Sequence, residues 1–179
     1  MKKYVLLLIT IISSLYASSP NPIFAENGMV VSTSKHASEA GVSILKKGGN
    51  AIDAAAAVGF ALAVTRPENG NLGGGGFIIS TTSDGKIFTQ DHREAAPERA
   101  HRDMFLDNNG SVIPGMSLVS RASSGVPGTV HGLLSAWSNH GSGNIGLQQL
   151  LSPAIRLAEK GFLLSHYQAE FFNSYKENF

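Results

Sequence analysis

The strongest constraint on the fold comes from residues 51–64, an alanine-rich segment that is apolar on almost every side of a helix. A helix without a polar face must be buried among other elements. Asn50 precedes the segment as an N-cap residue, and Asp53 lies in the first turn, where a carboxylate favours the helix dipole. Pro67 and Asn69-Gly70 end the helix. The sequence therefore predicts a globular protein packed around one buried helix.

Shorter elements surround this helix, and their order predicts the fold class. The predicted elements are a first strand at 28–33, a helix at 37–47, hairpin strands at 77–82 and 87–91 around an Asp84-Gly85 turn, an irregular stretch at 95–128, a helix at 129–137, a helix at 154–160 that begins at Ser152-Pro153, and a partly exposed helical tail at 167–179. Regular alternation of strands and helices is absent from this order. We therefore expect an α+β fold, with helices packed on an antiparallel or mixed sheet.

The N-terminus carries the pattern of a secretory signal peptide. Met1-Lys2-Lys3 precedes an apolar run at 4–12, and small and polar residues follow at 13–19. The run is too short to cross ~30 Å of hydrocarbon, and the chain has no cysteine to lipidate, so no stable membrane anchor is expected. We predict a signal peptide at 1–25, with cleavage after Ala17 or Ala25, and export of residues 26–179 to the periplasm or beyond.

Composition excludes several classes of function. The 14 basic and 13 acidic side chains leave a net charge of +1, without the basic excess of a nucleic-acid-binding protein. The lack of cysteine excludes disulfides, thiolate metal sites and a cysteine nucleophile. The 6 histidines show no i, i+4 pair of the kind that binds zinc on a helix. No metal ion or nucleic-acid partner is therefore predicted.

The glycine run at 73–76 resembles a phosphate loop only superficially. No Lys-Ser or Lys-Thr pair follows it, and it leads into a strand, whereas phosphate-binding loops open a helix. The pattern favours close packing of backbone against backbone at the start of the strand. Contact with a substrate or with another part of an active site is the alternative.

The densest polar motif is residues 91–97, where the second hairpin strand gives way to a loop. Arg93 lies between Asp91 and Glu94, and two carboxylates can hold a guanidinium in one orientation. Its planar fork suits a substrate carboxylate. A structural salt-bridge cluster at the strand terminus explains the same residues equally well, so both interpretations stay open at the level of the residues.

Several motifs in one order resemble the start of the gamma-glutamyltranspeptidase large subunit. They are Gly48-Gly49-Asn50-Ala51-Ile52-Asp53-Ala54-Ala55, Gly73-Gly74-Gly75-Gly76-Phe77, Asp91-His92-Arg93-Glu94-Ala95-Ala96-Pro97, Arg102-Asp103-Met104-Phe105 and Ser124-Gly125-Val126-Pro127-Gly128-Thr129-Val130. The resemblance extends from about Gly28 to the C-terminus. Five motifs in register make it far more specific than any one of them.

The resemblance implies an N-terminal-nucleophile hydrolase with a four-layer αββα sandwich, of which this chain would form a part. In that family the precursor cuts itself into a large and a small subunit, and the cut frees a threonine whose own α-amine can serve as its base. The threonine takes the γ-glutamyl group from glutathione or a related compound. Water, an amino acid or a peptide then accepts that group. No cofactor is implied.

Of the family's site residues, the resemblance places only one in this chain. Arg93 matches the arginine that binds the α-carboxylate of the glutamyl substrate, and Glu94 is a supporting neighbour. The threonine nucleophile and the small subunit lie outside this sequence. We therefore expect a truncated large subunit that is inactive alone. The alternatives are a related cephalosporin-type acylase and an inactive exported remnant.

Overall fold

The structure, a computed structural model, describes residues 21–178. Its helices and strands are α1 (Lys35–Leu45), α2 (Ala51–Thr65), β1 (Phe77–Thr81), β2 (Ile87–Asp91), a short α3 (Met116–Val119), α4 (Thr129–His140), α5 (Leu147–Lys160) and α6 (His166–Ser174), with 3₁₀ turns at Arg121–Ser123 and Lys176–Asn178. Most of the predicted signal peptide lies outside the described residues. Between residues 21 and 178, no helix has both the length and the apolar character needed to cross a bilayer.

The central helix α2 begins where the sequence predicts. The Asn50 side chain accepts hydrogen bonds from the amides of Ile52 and Asp53, at 2.9 and 3.0 Å, and the Asp53 carboxylate accepts from the amide of Asn50 at 2.8 Å. This reciprocal capping box satisfies the amides that a helix N-terminus leaves without partners. The start of the longest helix is thus encoded locally.

Three helices of the same chain pack around α2, namely α1, α4 and α5. The main core lies between them and consists of Ile44, Ala56, Ala57, Phe60, Leu133, Ile145, Leu150 and Ala154. Small alanine side chains on α2 let the neighbouring helices approach closely, while Ile44 and Leu150 are fully buried. The helical layer therefore encloses its own hydrophobic core.

The prediction that α2 is buried on every side is only partly correct. One face remains open, with Ala51 and Ala55 exposed and Val58 half-buried. These side chains line a groove of about 630 Å³ together with residues 27–31. The predicted strand at 28–33 was wrong, because this segment pairs with no strand within residues 21–178. Without a hydrogen-bonding neighbour, an extended segment does not form a ladder.

The hairpin matches the prediction closely. Strands β1 and β2 pair antiparallel, from Phe77 opposite Asp91 to Thr81 opposite Ile87, and Gly85 completes the turn with a φ of +81°. Glycine adopts this left-handed conformation without steric cost. Half-buried and exposed residues alternate along both strands, and β2 lies against α4, so the hairpin has one partly covered face and one exposed face.

Helix α5 corrects the predicted start at Ser152-Pro153. The helix begins six residues earlier, at Leu147, and Pro153 lies inside it. Proline cannot donate to the carbonyl four residues back, here that of Gln149. The Ser152 hydroxyl donates to that carbonyl at 3.2 Å, so the helix continues through the proline. Helices on one face of antiparallel strands confirm the α+β class.

Candidate functional site

The candidate site lies where β2 ends and the chain turns toward the loop at 95–128. The backbone amide of Arg93 donates to Asp91 Oδ1 at 2.9 Å. Such a local bond from an aspartate to a backbone amide two residues on stabilises a turn. Asp91 therefore fixes the direction in which the chain leaves the strand, and it does not bind the guanidinium of Arg93.

The Arg93 side chain leaves this turn largely exposed to solvent, at 58%. Its Nε lies 3.3 Å from Glu94 Oε2, at ion-pair distance but outside hydrogen-bonding geometry. Its Cζ lies 6.0 Å from the centre of the Phe77 ring. Of the two carboxylates predicted to flank the guanidinium, only that of Glu94 does so among residues 21–178. The exposed side chain can therefore receive an anionic ligand.

An open cavity of about 450 Å³ lies beside this arginine. Arg93, Glu94 and His92 line one part of it, while Phe77 and Leu133 supply apolar surface. Asn69 and Asn71 add amide groups that can donate or accept hydrogen bonds. The cavity thus combines one cation, one carboxylate and neutral polar groups, which suits a small zwitterionic or amide-bearing molecule.

The glycine run packs backbone against backbone, as predicted. The amide of His92 donates to the carbonyl of Gly76 at 2.9 Å and extends the ladder between the strands by one residue. On the other side, the amides of Gly128 and Thr129 donate to the carbonyl of Gly74 at 2.9 and 3.0 Å. The run is thus sandwiched between the end of β2 and the start of α4. Gly74 also satisfies amides at the N-terminus of that helix.

The role of Gly128, which precedes α4, and of Gly132 within it was not anticipated from the sequence. Both glycines face His92, the residue immediately before Arg93. Glycine costs stability inside a helix, so its presence at Gly132, in the first turn of α4, is the sequence signal that could have predicted a close approach by another group. Within residues 21–178, no group of three or more metal-binding side chains is placed to hold an ion.

The fold and the comparisons with known proteins agree on class and family. The chain has the α+β fold of the N-terminal-nucleophile hydrolases. It belongs to the gamma-glutamyltranspeptidase family, whose profile matches residues 37–179. It resembles the structure of Helicobacter pylori gamma-glutamyltranspeptidase with a TM-score of 0.82 and 44% identity, over 87% of this chain and 44% of that one. These findings confirm the resemblance drawn from the motifs.

Two further relatives, one curated protein and one solved structure, match the same part of this chain. The glutathione hydrolase proenzyme of Pseudomonas sp. (strain A14) is 51% identical over 84% of this chain, which corresponds to 26% of that protein. Cephalosporin acylase from Bacillus halodurans is 28% identical, with a TM-score of 0.75, over 92% of this chain and 30% of that one. The chain therefore spans about a quarter of the length of the curated relatives it matches.

Proposed function

We propose that this chain is the N-terminal part of the large subunit of an exported gamma-glutamyltranspeptidase that also hydrolyses glutathione. The complete enzyme would transfer the γ-glutamyl group of glutathione, or of a related compound, to water, an amino acid or a peptide. The observation that carries the proposal is the exposed Arg93 at the mouth of a polar cavity, in a chain 51% identical to a glutathione hydrolase proenzyme.

In this proposal Arg93 binds the α-carboxylate of the glutamyl donor. A guanidinium can form two parallel hydrogen bonds with a carboxylate, which fixes both distance and orientation. Glu94 lies beside its Nε and leaves most of the side chain accessible. The same carboxylate limits the side-chain positions that the arginine can adopt. The chain thus contributes recognition of the donor, and Glu94 supports that recognition.

The bond-making residues belong to the part of the enzyme beyond this chain. A threonine on the small subunit would attack the γ-carbonyl and form an acyl-enzyme, which water or an acceptor amine would resolve. A donor held by its α-carboxylate presents its γ-carbonyl in a fixed direction, which lowers the entropic part of the barrier. This division of labour makes the small subunit the obligate partner of the chain and leaves the chain inactive alone.

The alternative of a cephalosporin-type acylase has weaker support. The acylase from Bacillus halodurans shares 28% of residues with the chain, against 44% for the Helicobacter pylori transpeptidase. An exposed arginine at the end of β2 also suits the free α-carboxylate of a glutamyl donor. The higher identity and the arginine both favour the glutamyl substrate.

Export is part of the proposal and rests on Lys2, Lys3 and the apolar run at 4–12. A tagged chain produced in bacterial cells should appear in the periplasm or the medium. Sequencing of its mature N-terminus should show that the first residues have been removed. A cytoplasmic product that still begins at Met1 would contradict export, and the enzymatic proposal would be unaffected.

A chimera tests the enzymatic proposal directly. Residues 26–179 of this chain would replace the matching quarter of the Pseudomonas sp. glutathione hydrolase proenzyme. The chimera should cut itself into two subunits and hydrolyse a γ-glutamyl anilide, while residues 26–179 alone should not. A chimera that stays uncut and inactive beside an active parent would support the inactive remnant. Turnover by the isolated chain would place the nucleophile within it and contradict the family assignment of roles.

A further inference from the structure

The backbone of residues 92–94 lies in close contact with two glycines, Gly75 and Gly128. A β-carbon built on Gly75 would lie 2.5 Å from the carbonyl oxygen of His92 and 2.8 Å from the amide nitrogen of Glu94. A β-carbon on Gly128 would lie 1.9 Å from the same carbonyl oxygen. Real β-carbons do not approach backbone atoms so closely. Both positions therefore need glycine if residues 92–94 are to stay where they are.

A third glycine receives the side chain of His92. The imidazole lies against the backbone of α4, and a β-carbon on Gly132 would fall 2.2 Å from its Cγ. The Gln90 side chain donates to the carbonyl of Gly132 at 2.8 Å and so ties the same strand to the same helical turn. The residue before Arg93 is therefore held through its backbone by Gly75 and Gly128 and through its ring by Gly132.

The backbone around Arg93 and the Arg93 side chain differ in how closely they are packed. The backbone of residues 92–94 is in close contact with Gly75 and Gly128, whereas the Arg93 side chain is 58% exposed. An exposed arginine loses rotamer entropy when it binds a ligand, and a fixed backbone limits that loss to the side chain. A displacement of about 1 Å in a positioning element can cost two orders of magnitude in rate. Close packing at these glycines therefore acts on the geometry of Arg93.

We propose that Gly75, Gly128 and Gly132, named here the glycine clamp, are positioning residues that set the direction of Arg93 toward the donor α-carboxylate. The inference rests on the proposed function. It adds that binding of the donor depends on three residues that do not themselves bind it. His92 transmits the position of α4 to the arginine because its ring fills the space that Gly132 leaves.

The test uses the chimeric proenzyme with Gly132→Ala as the first variant. The new methyl group overlaps the His92 ring and should shift the peptide next to Arg93. We expect KM for the γ-glutamyl donor to rise about tenfold or more, with any fall in kcat smaller than that rise, since the carboxylate contact is made in the ground state and the transition state alike. The control is Gly73→Ala, in the glycine run at 73–76 that contains Gly75, where the added carbon meets only Asn71 Oδ1 at an ordinary 3.4 Å.

A double variant separates positioning from general destabilisation. His92→Gly removes the ring and the β-carbon that Gly132→Ala would strike, so adding Gly132→Ala to His92→Gly should raise donor KM little further. Subunit cleavage, active-site content and melting temperature would be measured on each protein. A fall in kcat with unchanged KM, matched by a loss of folded protein, would overturn the proposal. Unchanged donor KM in a folded Gly132→Ala variant would overturn it equally.

A second measurement does not depend on turnover. The amides of His92 and Gly128 bond to carbonyls of the glycine run, so their hydrogen exchange reports on the clamp. In the chimera, Gly132→Ala should speed exchange at His92, and Gly73→Ala should not. Equal exchange in the two variants would contradict the clamp, whereas an inactive unmodified chimera would contradict the proposed function instead.

Discussion

The helical layer and the hairpin differ in how completely this chain covers their apolar side chains. In the helical layer Ile44 and Leu150 are both 0% exposed. On the outer face of the hairpin Phe77, Ile79 and Ile87 are 66, 78 and 69% exposed. A two-stranded hairpin has little stability alone, so this one depends on its inner face. There Phe88 stacks on His140 with ring centres 3.9 Å apart.

The difference assigns two tasks to two regions. Burial in the helical layer supplies most of the stability, because it removes the larger apolar area from water. The hairpin supplies an exposed strand end, where an arginine can meet a ligand. The position of Arg93 depends on the packing of the hairpin end against α4, which belongs to the helical layer. Changes in the buried core of the helical layer should therefore lower stability, and changes at the hairpin end and its contacts with α4 should alter donor binding.

The largest effect is expected in the helical core. Leu150→Ala removes a fully buried side chain and should cost about 2–5 kcal/mol of stability, because the cavity does not collapse completely. Leu147→Ala is the matched control on the same helix, where the side chain is 45% exposed. Thermal unfolding and the yield of cleaved chimera measure both. Equal losses for the two leucines would show that the core is not where the stability lies.

At the hairpin end, Arg93→Lys should change activity and spare stability. Lysine keeps the charge and loses the planar fork, so donor kcat/KM should fall about ten- to a hundredfold, or roughly 1.5–3 kcal/mol. Subunit cleavage should survive, because no free substrate takes part in it. Arg102→Lys, at a side chain 96% exposed, is the control. Normal donor kinetics in Arg93→Lys, or a folding defect that accounts for the whole loss, would remove Arg93 from the site.

Two aspartates sharpen the comparison because each accepts two backbone hydrogen bonds. Asp53 is fully buried and accepts from the amides of Asn50 and Ser142, while Asp107 is exposed and accepts from those of Asn109 and Ser111. Asp53→Ala should cost about 1–3 kcal/mol, since it leaves two half-buried amide donors without their partner. Asp107→Ala should stay within about 0.5 kcal/mol. Comparable melting temperatures for both variants would contradict this reasoning.

The smallest effect is expected at the hairpin turn. Lys86, and then Thr82, lower the pKa of Asp84 below its ordinary value of 3.8. Because this pKa is lower in the folded state, the ion pair stabilises the fold at pH values above the unfolded pKa. That stabilisation is lost as the pH falls through the folded pKa. Hydrogen exchange in the turn should therefore differ between wild type and Asp84→Asn near neutral pH and converge in acid below about pH 4. A difference that persists in acid would contradict the ion pair as its cause.

Sequence reasoning succeeded where the signal is local. The N-cap at Asn50, the turn at Gly85 and the position of Arg93 just after the end of β2 all follow from short stretches of chain. It failed where the outcome depends on distant groups. Residues 28–33 have the composition of a strand but lie beside no partner strand in the described part of the chain. Pro153 lies inside α5, where the Ser152 hydroxyl donates to the Gln149 carbonyl that the proline cannot reach with an amide.

The sequence by itself determined the family and the α+β class, and it singled out Arg93 as the candidate residue for binding a carboxylate. These conclusions depend on motif order and turn residues, which are local features of the chain. Tertiary structure alone decided that Asp91 binds the backbone of Arg93 and not its guanidinium. It also decided that one face of α2 stays open and that Gly132 receives the ring of His92. The physical reason is that steric exclusion between groups 40 residues apart depends on how the strand and the helix pack in three dimensions.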